Sequence, residues 1–299
     1  MTSSSSRRDF LRTATLLAGG VSLAAAGCST TNPETERQGG GSLARAKQEG
    51  KIKVGFANEA PYGFTDKSGK LTGEAPELAR AIFKELGIPN VEGVQVDFGG
   101  LIAGLNAKRF DVIAAGMFIN KERCASAAFS DPDYVAKTAF MVPKGNPKKI
   151  LKFEDVTRSK ANIGVLTGAV EGGYAEKLGV PKGQIKPFPD QPNAYEGLKA
   201  GRIDAIALTR ISLADLLSKH PGEPFEVTEA FTPVIDGKEQ LGAGGFGFRK
   251  ADTDLLKAFN DKLTEFKQQN KLLPIIQPFG FSQAELPGPG DTAAKFCAV

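Results

Sequence analysis

Lys51-Ile52-Lys53-Val54-Gly55-Phe56-Ala57 reads as a β-strand, and the segments that follow it decide the fold. Residues 74–86 read as a helix with Leu78, Ala81, Ile82 and Leu86 on one face. Residues 91–98 follow as a second strand, 100–108 as a second helix and 110–115 as a third strand. Such a βαβαβ run implies a mainly parallel sheet covered by helices. The pattern then restarts, with strands at 161–166, 184–188 and 203–208 and helices at 169–178 and 194–200. Two α/β lobes are therefore expected. Extended segments at 134–142 and 244–249 flank the second block and read as two crossover strands, after which a helix at 253–273 belongs again to the first lobe. The expected boundaries are 43–140 and 244–283 for lobe one, 141–243 for lobe two and 284–299 for a C-terminal tail.

The N-terminus carries a different signal. Ser6-Arg7-Arg8-Asp9-Phe10-Leu11 precedes an apolar stretch at 14–26, and Ala25-Ala26-Gly27-Cys28 closes it. The twin arginine resembles a bacterial Tat export signal, and a cysteine after small residues resembles a lipoprotein processing site, with Cys28 as the acylated residue. The apolar stretch is shorter than the roughly 18 to 20 residues of a spanning helix. Residues 29–42, STTNPETERQGGGS, hold too little apolar surface to offset chain entropy and read as a flexible tether.

Composition excludes several classes. The net charge of +4 is spread along the chain, and the lysines between Lys144 and Lys152 form no long basic tract with interleaved aromatics, so nucleic acid is not an expected partner. Three cysteines and one histidine offer no pair with metal-ligand spacing, and neither a metal nor another cofactor is expected. His220, before Pro221, reads as a solvated residue at a helix end. With Cys28 assigned to the anchor, Cys124 and Cys297 remain, either as a disulfide permitted by an oxidising compartment or as two separate thiols.

In open α/β sheets ligands bind beyond the carboxyl ends of the strands. Glu59 and Tyr62 follow the first strand, Phe98 ends the second, and Phe118 and Arg123 follow the third. A planar guanidinium suits a carboxylate, since it donates two parallel hydrogen bonds. An acid and aromatic faces suit a delocalised cation. The implied ligand is a small zwitterion. Each residue also has a structural reading: Glu59 and Arg123 as an ion pair, Phe98 and Phe118 as core, Tyr62 as an exposed loop residue. Five chemically matched residues at three successive strand ends are less easily explained by packing.

Asn58-Glu59-Ala60-Pro61-Tyr62-Gly63-Phe64, Gly73-Glu74-Ala75-Pro76-Glu77-Leu78-Ala79, the run from Ala115 to Arg123 and Gly201-Arg202-Ile203-Asp204-Ala205 resemble the family 3 extracellular solute-binding proteins of amino-acid ABC importers. The resemblance covers residues 51–282 and implies a two-lobed periplasmic-binding-protein fold of type II, closing about its crossover strands. It implies an importer permease as partner, a monomer, and an extracytoplasmic protein held to the membrane by its lipid. In that family the arginine matching Arg123 holds the ligand carboxylate, and a second-lobe aspartate commonly receives the α-ammonium. Here that position is Thr209, and the family's threonine near the second-lobe helix start is Val170, whose backbone amide alone can serve. An ordinary α-amino acid is therefore a poor match.

Within the family the chain most resembles the ectoine- and hydroxyectoine-binding proteins. The shared features are the NE-x-P start at Asn58, the aromatic before Gly99, the GxFxxxERC run ending at Cys124 and the Cys297-Ala298 pair. The resemblance assigns a cyclic amidinium to Glu59 with Tyr62, Phe98 and Phe118, and a carboxylate to Arg123 with second-lobe amides. Tyr62 stands where phenylalanine is expected, and its hydroxyl either favours a hydroxylated ligand or faces water. A polar amino acid is the alternative ligand.

Competing signals are weaker. Gly242-Ala243-Gly244-Gly245-Phe246-Gly247 matches G-x-G-x-x-G, but a dinucleotide fingerprint must follow a strand and open a helix. The run reads instead as a hinge approach where glycine permits unusual backbone angles. An enzyme, such as a cyclohexadienyl-dehydratase-like one with Glu59 as the acid, lacks a Ser/His/Asp or Cys/His constellation. A sensor lacks a following segment able to cross a membrane.

Overall fold

The computed structural model describes residues 41–298. The tether up to residue 40 and the segment around Cys28 lie outside the described residues. Ser42, assigned to the tether, instead opens helix α1 (Ser42–Glu49) and donates to Asp252 Oδ1 at 2.6 Å. Next come β1 (Lys51–Phe56), a hairpin of β2 (Phe64–Thr65) and β3 (Leu71–Thr72), α2 (Glu74–Glu85), β4 (Asn90–Gln95), α3 (Leu101–Asn106) and β5 (Val112–Phe118). A short α4 (Lys121–Cys124), β6 (Ala128–Phe129) and β7 (Tyr134–Ala136) complete this half. The chain then enters a second sheet through β8 (Thr138–Pro143). It continues as α5 (Phe153–Ser159), β9 (Ile163–Leu166), α6 (Val170–Lys177), β10 (Ile185–Phe188), α7 (Gln191–Lys199), β11 (Ala205–Thr209), α8 (Arg210–Ser218) and β12 (Phe225–Val227). After a hairpin of β13 (Val234–Ile235) and β14 (Lys238–Glu239), β15 (Gly242–Phe248) rejoins the first sheet. Helices α9 (Thr253–Gln268), α10 (Leu272–Ile276) and α11 (Ala293–Cys297) end the chain.

The first sheet runs β4-β1-β5-β15-β6, with β7 also on β15; the second runs β10-β9-β11-β8-β12. The βαβ strands pair in parallel, while β15 and β8 run antiparallel to their neighbours. Lobe two is thus an insertion whose two ends meet, since Ala136 pairs with Gly242. The first crossing falls at Lys137 and the second between β12 and β15, because the ladders claim the residues on either side.

Alternate residues of each central strand feed different cores, as the two-residue period of a strand requires. In β5, Val112, Ala114 and Phe118 pack with α2 and α9, while Ile113, Ala115 and Met117 pack with α3 and with Phe296 of α11. In lobe two, Ala205 and Ala207 face one core and Ile206 and Leu208 the other. Each lobe is a sheet between helical layers, and its parallel strands end at the rim facing the other lobe.

Further sequence readings change, the lobe boundaries among them, since Thr138 already belongs to the second sheet and Gly242 to the first. The glycine run is no hinge approach: it is the buried strand β15, and its glycines have ordinary φ values. Glycine is required there because rings lie flat on the strand; a Cβ at Gly242 would meet the Phe118 ring at 2.1 Å, and one at Gly244 the Tyr134 ring at 1.9 Å. The helix at 253–273 is broken into α9 and α10 at Asn270, whose φ is 55°. Phe98 does not end a strand but begins a 3-10 turn, Phe98–Gly100, that follows β4. His220 is half-buried and stacks on Tyr195, ring centroids 4.2 Å apart. The C-terminal tail forms α11, buries Phe296 and is tied by a disulfide from Cys297 to Cys124, Cα atoms 5.6 Å apart, so of the two readings of these cysteines the crosslink holds.

Candidate functional site

The loop after β1 owes its shape to Asn58, which sits at φ 53°, a region asparagine tolerates better than most residues. Its Oδ1 accepts from the Thr65 amide, and Gly63 N–H donates to Glu59 O at 3.0 Å, closing a tight turn that presents Glu59 and Tyr62. After β5, Asn120 caps α4, its Oδ1 accepting from the Arg123 amide at 2.8 Å, which fixes the start of the Arg123 side chain. Gly116, at φ 60° inside β5, leaves room for the Tyr62 ring, which a Cβ would meet at 2.4 Å. Tyr62 stacks on Tyr134 with centroids 5.1 Å apart.

The two lobes are drawn together over these residues. Glu59, Tyr62, Phe98, Phe118 and Arg123 of lobe one line one interlobe cavity with Val170 and Thr209 of lobe two, and its free volume is about 20 Å³. That is room for about one water. Beyond Phe98 and Arg123, which wall both spaces, opens a recess of about 310 Å³ reaching Asn120, Tyr174 and Lys177.

Among the described residues five hydrogen bonds cross the cleft, the longest from Ser212 Oγ to Ala60 O at 3.4 Å. Arg123 Nη2 donates to Gly168 O at 2.8 Å, while its Nη1 donates to Phe118 O within lobe one at 2.6 Å. The Tyr62 hydroxyl bonds Thr209 Oγ1 at 2.7 Å, Ser212 Oγ donates to Glu59 Oε1 at 2.9 Å, and Gln191 Nε2 donates to Ala60 O at 3.0 Å. The Arg123 guanidinium also lies 5.3 Å from the centre of the Phe98 ring. Among the described residues Glu59 and Arg123 form no ion pair with each other. The Tyr62 hydroxyl faces neither water nor an open subsite, because Thr209 takes it. Second-lobe contact to Arg123 comes from the Gly168 carbonyl, and Val170 lines the cavity wall.

Three residues here were not legible as site residues. Ser212 and Gln191 sit on the starts of α8 and α7 and reach the first lobe only through closure. Glu171, 3% exposed, lines the same cavity from the first turn of α6. An acid one residue past a loop that ends at the cleft was the available signal. Glu171 changes the charge pattern: the acid missing at position 209 stands at position 171, also in the second lobe. Burial is the largest influence on both carboxyls, raising Glu59 to about 8 and Glu171 to about 7. Glu171 raises Glu59 further and Arg123 partly relieves both, so the cavity holds two acids that are charged only at a cost and one guanidinium. Such a site fits a small molecule carrying both a carboxylate and a cationic nitrogen group.

Known proteins share this arrangement of lobes. A probable periplasmic-binding protein of an amino-acid ABC transporter from Sinorhizobium fredii, y4tE, is 34% identical over 260 residues, covering 86% of each chain. The L-cystine-binding protein TcyJ of Escherichia coli K12 is 31% identical over 238 residues, 79% of this chain and 85% of that one. Among solved structures, EhuB in complex with hydroxyectoine superposes with a TM-score of 0.78 at 35% identity, covering 86% of this chain and 98% of that chain. These relatives are named as binding proteins of transport systems rather than as enzymes. Residues 52–282 match the family model itself, and the chain belongs to the bacterial extracellular solute-binding proteins, family 3.

Proposed function

We propose that this solute-binding protein captures ectoine or hydroxyectoine, a small cyclic amidinium zwitterion, by closing its lobes, and delivers it to an ABC importer permease. The observation that carries this reading is the shared cavity of Glu59, Tyr62, Phe98, Phe118 and Arg123 under Val170 and Thr209. The amidinium lies against the aromatic faces with Glu59 as acceptor, and the carboxylate takes the Arg123 N–H donors that the bonds to Phe118 O and Gly168 O leave over. The similarity to EhuB with its hydroxyectoine supports the same assignment. Opening pivots on the two interlobe crossings, a hinge motion common to ligand-closing architectures. The protein acts as a monomer, exported through its twin-arginine signal and anchored by Cys28; Cys28→Ser leaves it in the soluble fraction, and Arg7 and Arg8 changed to lysine block export.

A second reading has its own support. Glu171 supplies a second-lobe carboxylate of the kind that receives an α-ammonium, and the relatives y4tE and TcyJ are named for amino-acid and L-cystine binding. Calorimetric titration with ectoine, hydroxyectoine, L-cystine, arginine and glutamine separates the two. Micromolar binding of ectoine or hydroxyectoine with no heat from the amino acids is the expected result, and the reverse pattern refutes the ectoine assignment.

A further inference from the structure

Two polar second-lobe side chains line the cavity, Glu171 and Thr209, and they are differently committed. Thr209 Oγ1 already bonds the Tyr62 hydroxyl and accepts from the Ser212 amide at 3.2 Å. Glu171 makes no hydrogen bond to another described residue; the backbone N–H it meets is its own. An acid in the first turn of a helix is ordinarily a solvated group complementing the helix dipole, but Glu171 is 3% exposed and turned to the cleft. A buried carboxylate whose hydrogen bond is to its own backbone N–H, and which Arg123 relieves only in part, is costly, so its retention in a cavity with Glu59 calls for a further cation.

Building on the ligand reading above, we propose that Glu171 is the second-lobe receptor for the ligand's cation, which is held between carboxylates of both lobes and so must carry N–H donors on two edges. Glu59 takes one edge from the first lobe and Glu171 the other, and each keeps the ligand from leaving while the lobes are closed. An amidinium, a guanidinium or a primary ammonium satisfies this geometry; a quaternary ammonium, which has no N–H, does not. The groups facing Glu171 are Glu59 from the loop after β1, Arg123 from α4, and Tyr174 from its own helix.

The test titrates ectoine and glycine betaine into the wild type, Glu171→Gln, Glu171→Asp and, as a control for charge on the same helix, the exposed Glu176→Gln. Glu171→Gln is expected to weaken ectoine binding about tenfold to a hundredfold, Glu171→Asp less, and Glu176→Gln not at all. Glycine betaine gives no heat with any of them. If the wild type binds ectoine and Glu171→Gln binds it within twofold, the role of Glu171 is refuted while the ligand stands. If the wild type binds no ectoine or hydroxyectoine, the ligand is wrong, and the same variants titrated with arginine decide the role of Glu171: a loss in Glu171→Gln upholds it and equal affinity overturns it.

Discussion

In a Gly168→Ala variant the added Cβ lies 2.6 Å from Gly99 Cα, across the lip where the two lobes touch. Carbon atoms settle at about 3.5 to 4.0 Å, so the lips part by about 1 Å. That stretches the 2.8 Å bond from Arg123 Nη2 to Gly168 O beyond hydrogen-bonding range. A hydrogen bond to a charged group contributes about 1.5 to 3 kcal/mol, and only the closed form has this one. Ligand affinity is therefore expected to fall about tenfold to a hundredfold. Alanine at the φ of 81° found at Gly168 also strains the backbone by about 1 to 2 kcal/mol, but open and closed forms share that strain, so it lowers the melting temperature without touching the affinity. Gly179→Ala provides the control, with the same φ of 81° and nothing within 4 Å of the new Cβ. Calorimetry and thermal unfolding of both variants separate clash from strain. If Gly168→Ala binds ligand as tightly as Gly179→Ala, the lip contact plays no part in closure and the reasoning is wrong.

Truncating Arg123 or Glu59 to alanine should weaken binding by roughly tenfold to over a hundredfold by calorimetry, because each leaves a charged ligand group unpaired; a loss under threefold counts against the assigned roles. Tyr62→Phe and Thr209→Val should each cost about two- to tenfold through the shared 2.7 Å bond, and the double variant little more than either; additive losses would show the bond is not what the two residues contribute. Changing both Cys124 and Cys297 to serine should lower unfolding stability by about 2 to 5 kcal/mol with affinity nearly kept, and an unchanged denaturation midpoint refutes a structural role for the crosslink. Stability should also depend on pH: the contribution of the raised carboxyls is fully present below about pH 4.5 and lost as pH rises through about 7 for Glu171 and about 8 for Glu59. Glu74 and Asp133, also raised by burial, share in that slope, so the check is a flatter profile between pH 5 and 8 in Glu59→Gln than in the wild type.

The elements built on local pattern were readable from the chain. α2 is placed by the face that carries Leu78 and Ile82, both buried, and the rim position of Glu59 and Arg123 follows from their place after the first and third strands, although the third runs on to Phe118 instead of ending at residue 115. Contacts made across the cleft were not readable, since Ser212, Gln191 and Glu171 lie on lobe two and meet Glu59 or Ala60 only after more than a hundred intervening residues have folded. The glycines of β15 were misread for a related reason: what forbids a side chain there is the ring of Phe118 or Tyr134, each brought by a different strand. Local backbone preference suggested a flexible joint where distant packing demands a rigid one.

The insertion of lobe two between β7 and β15 inverts the usual order of assembly during synthesis. Domains made at the ribosome generally fold from the N-terminus onward, yet here the half begun first is finished last. All five strands of the second sheet are available once Val227 has been made, whereas the first sheet still lacks β15, which pairs with β5, β6 and β7. Until then β5 presents an unpaired edge, the kind of surface that invites wrong pairing between chains. A chain cut short before Gly242 would carry a complete second lobe joined to a first lobe that is open down its middle.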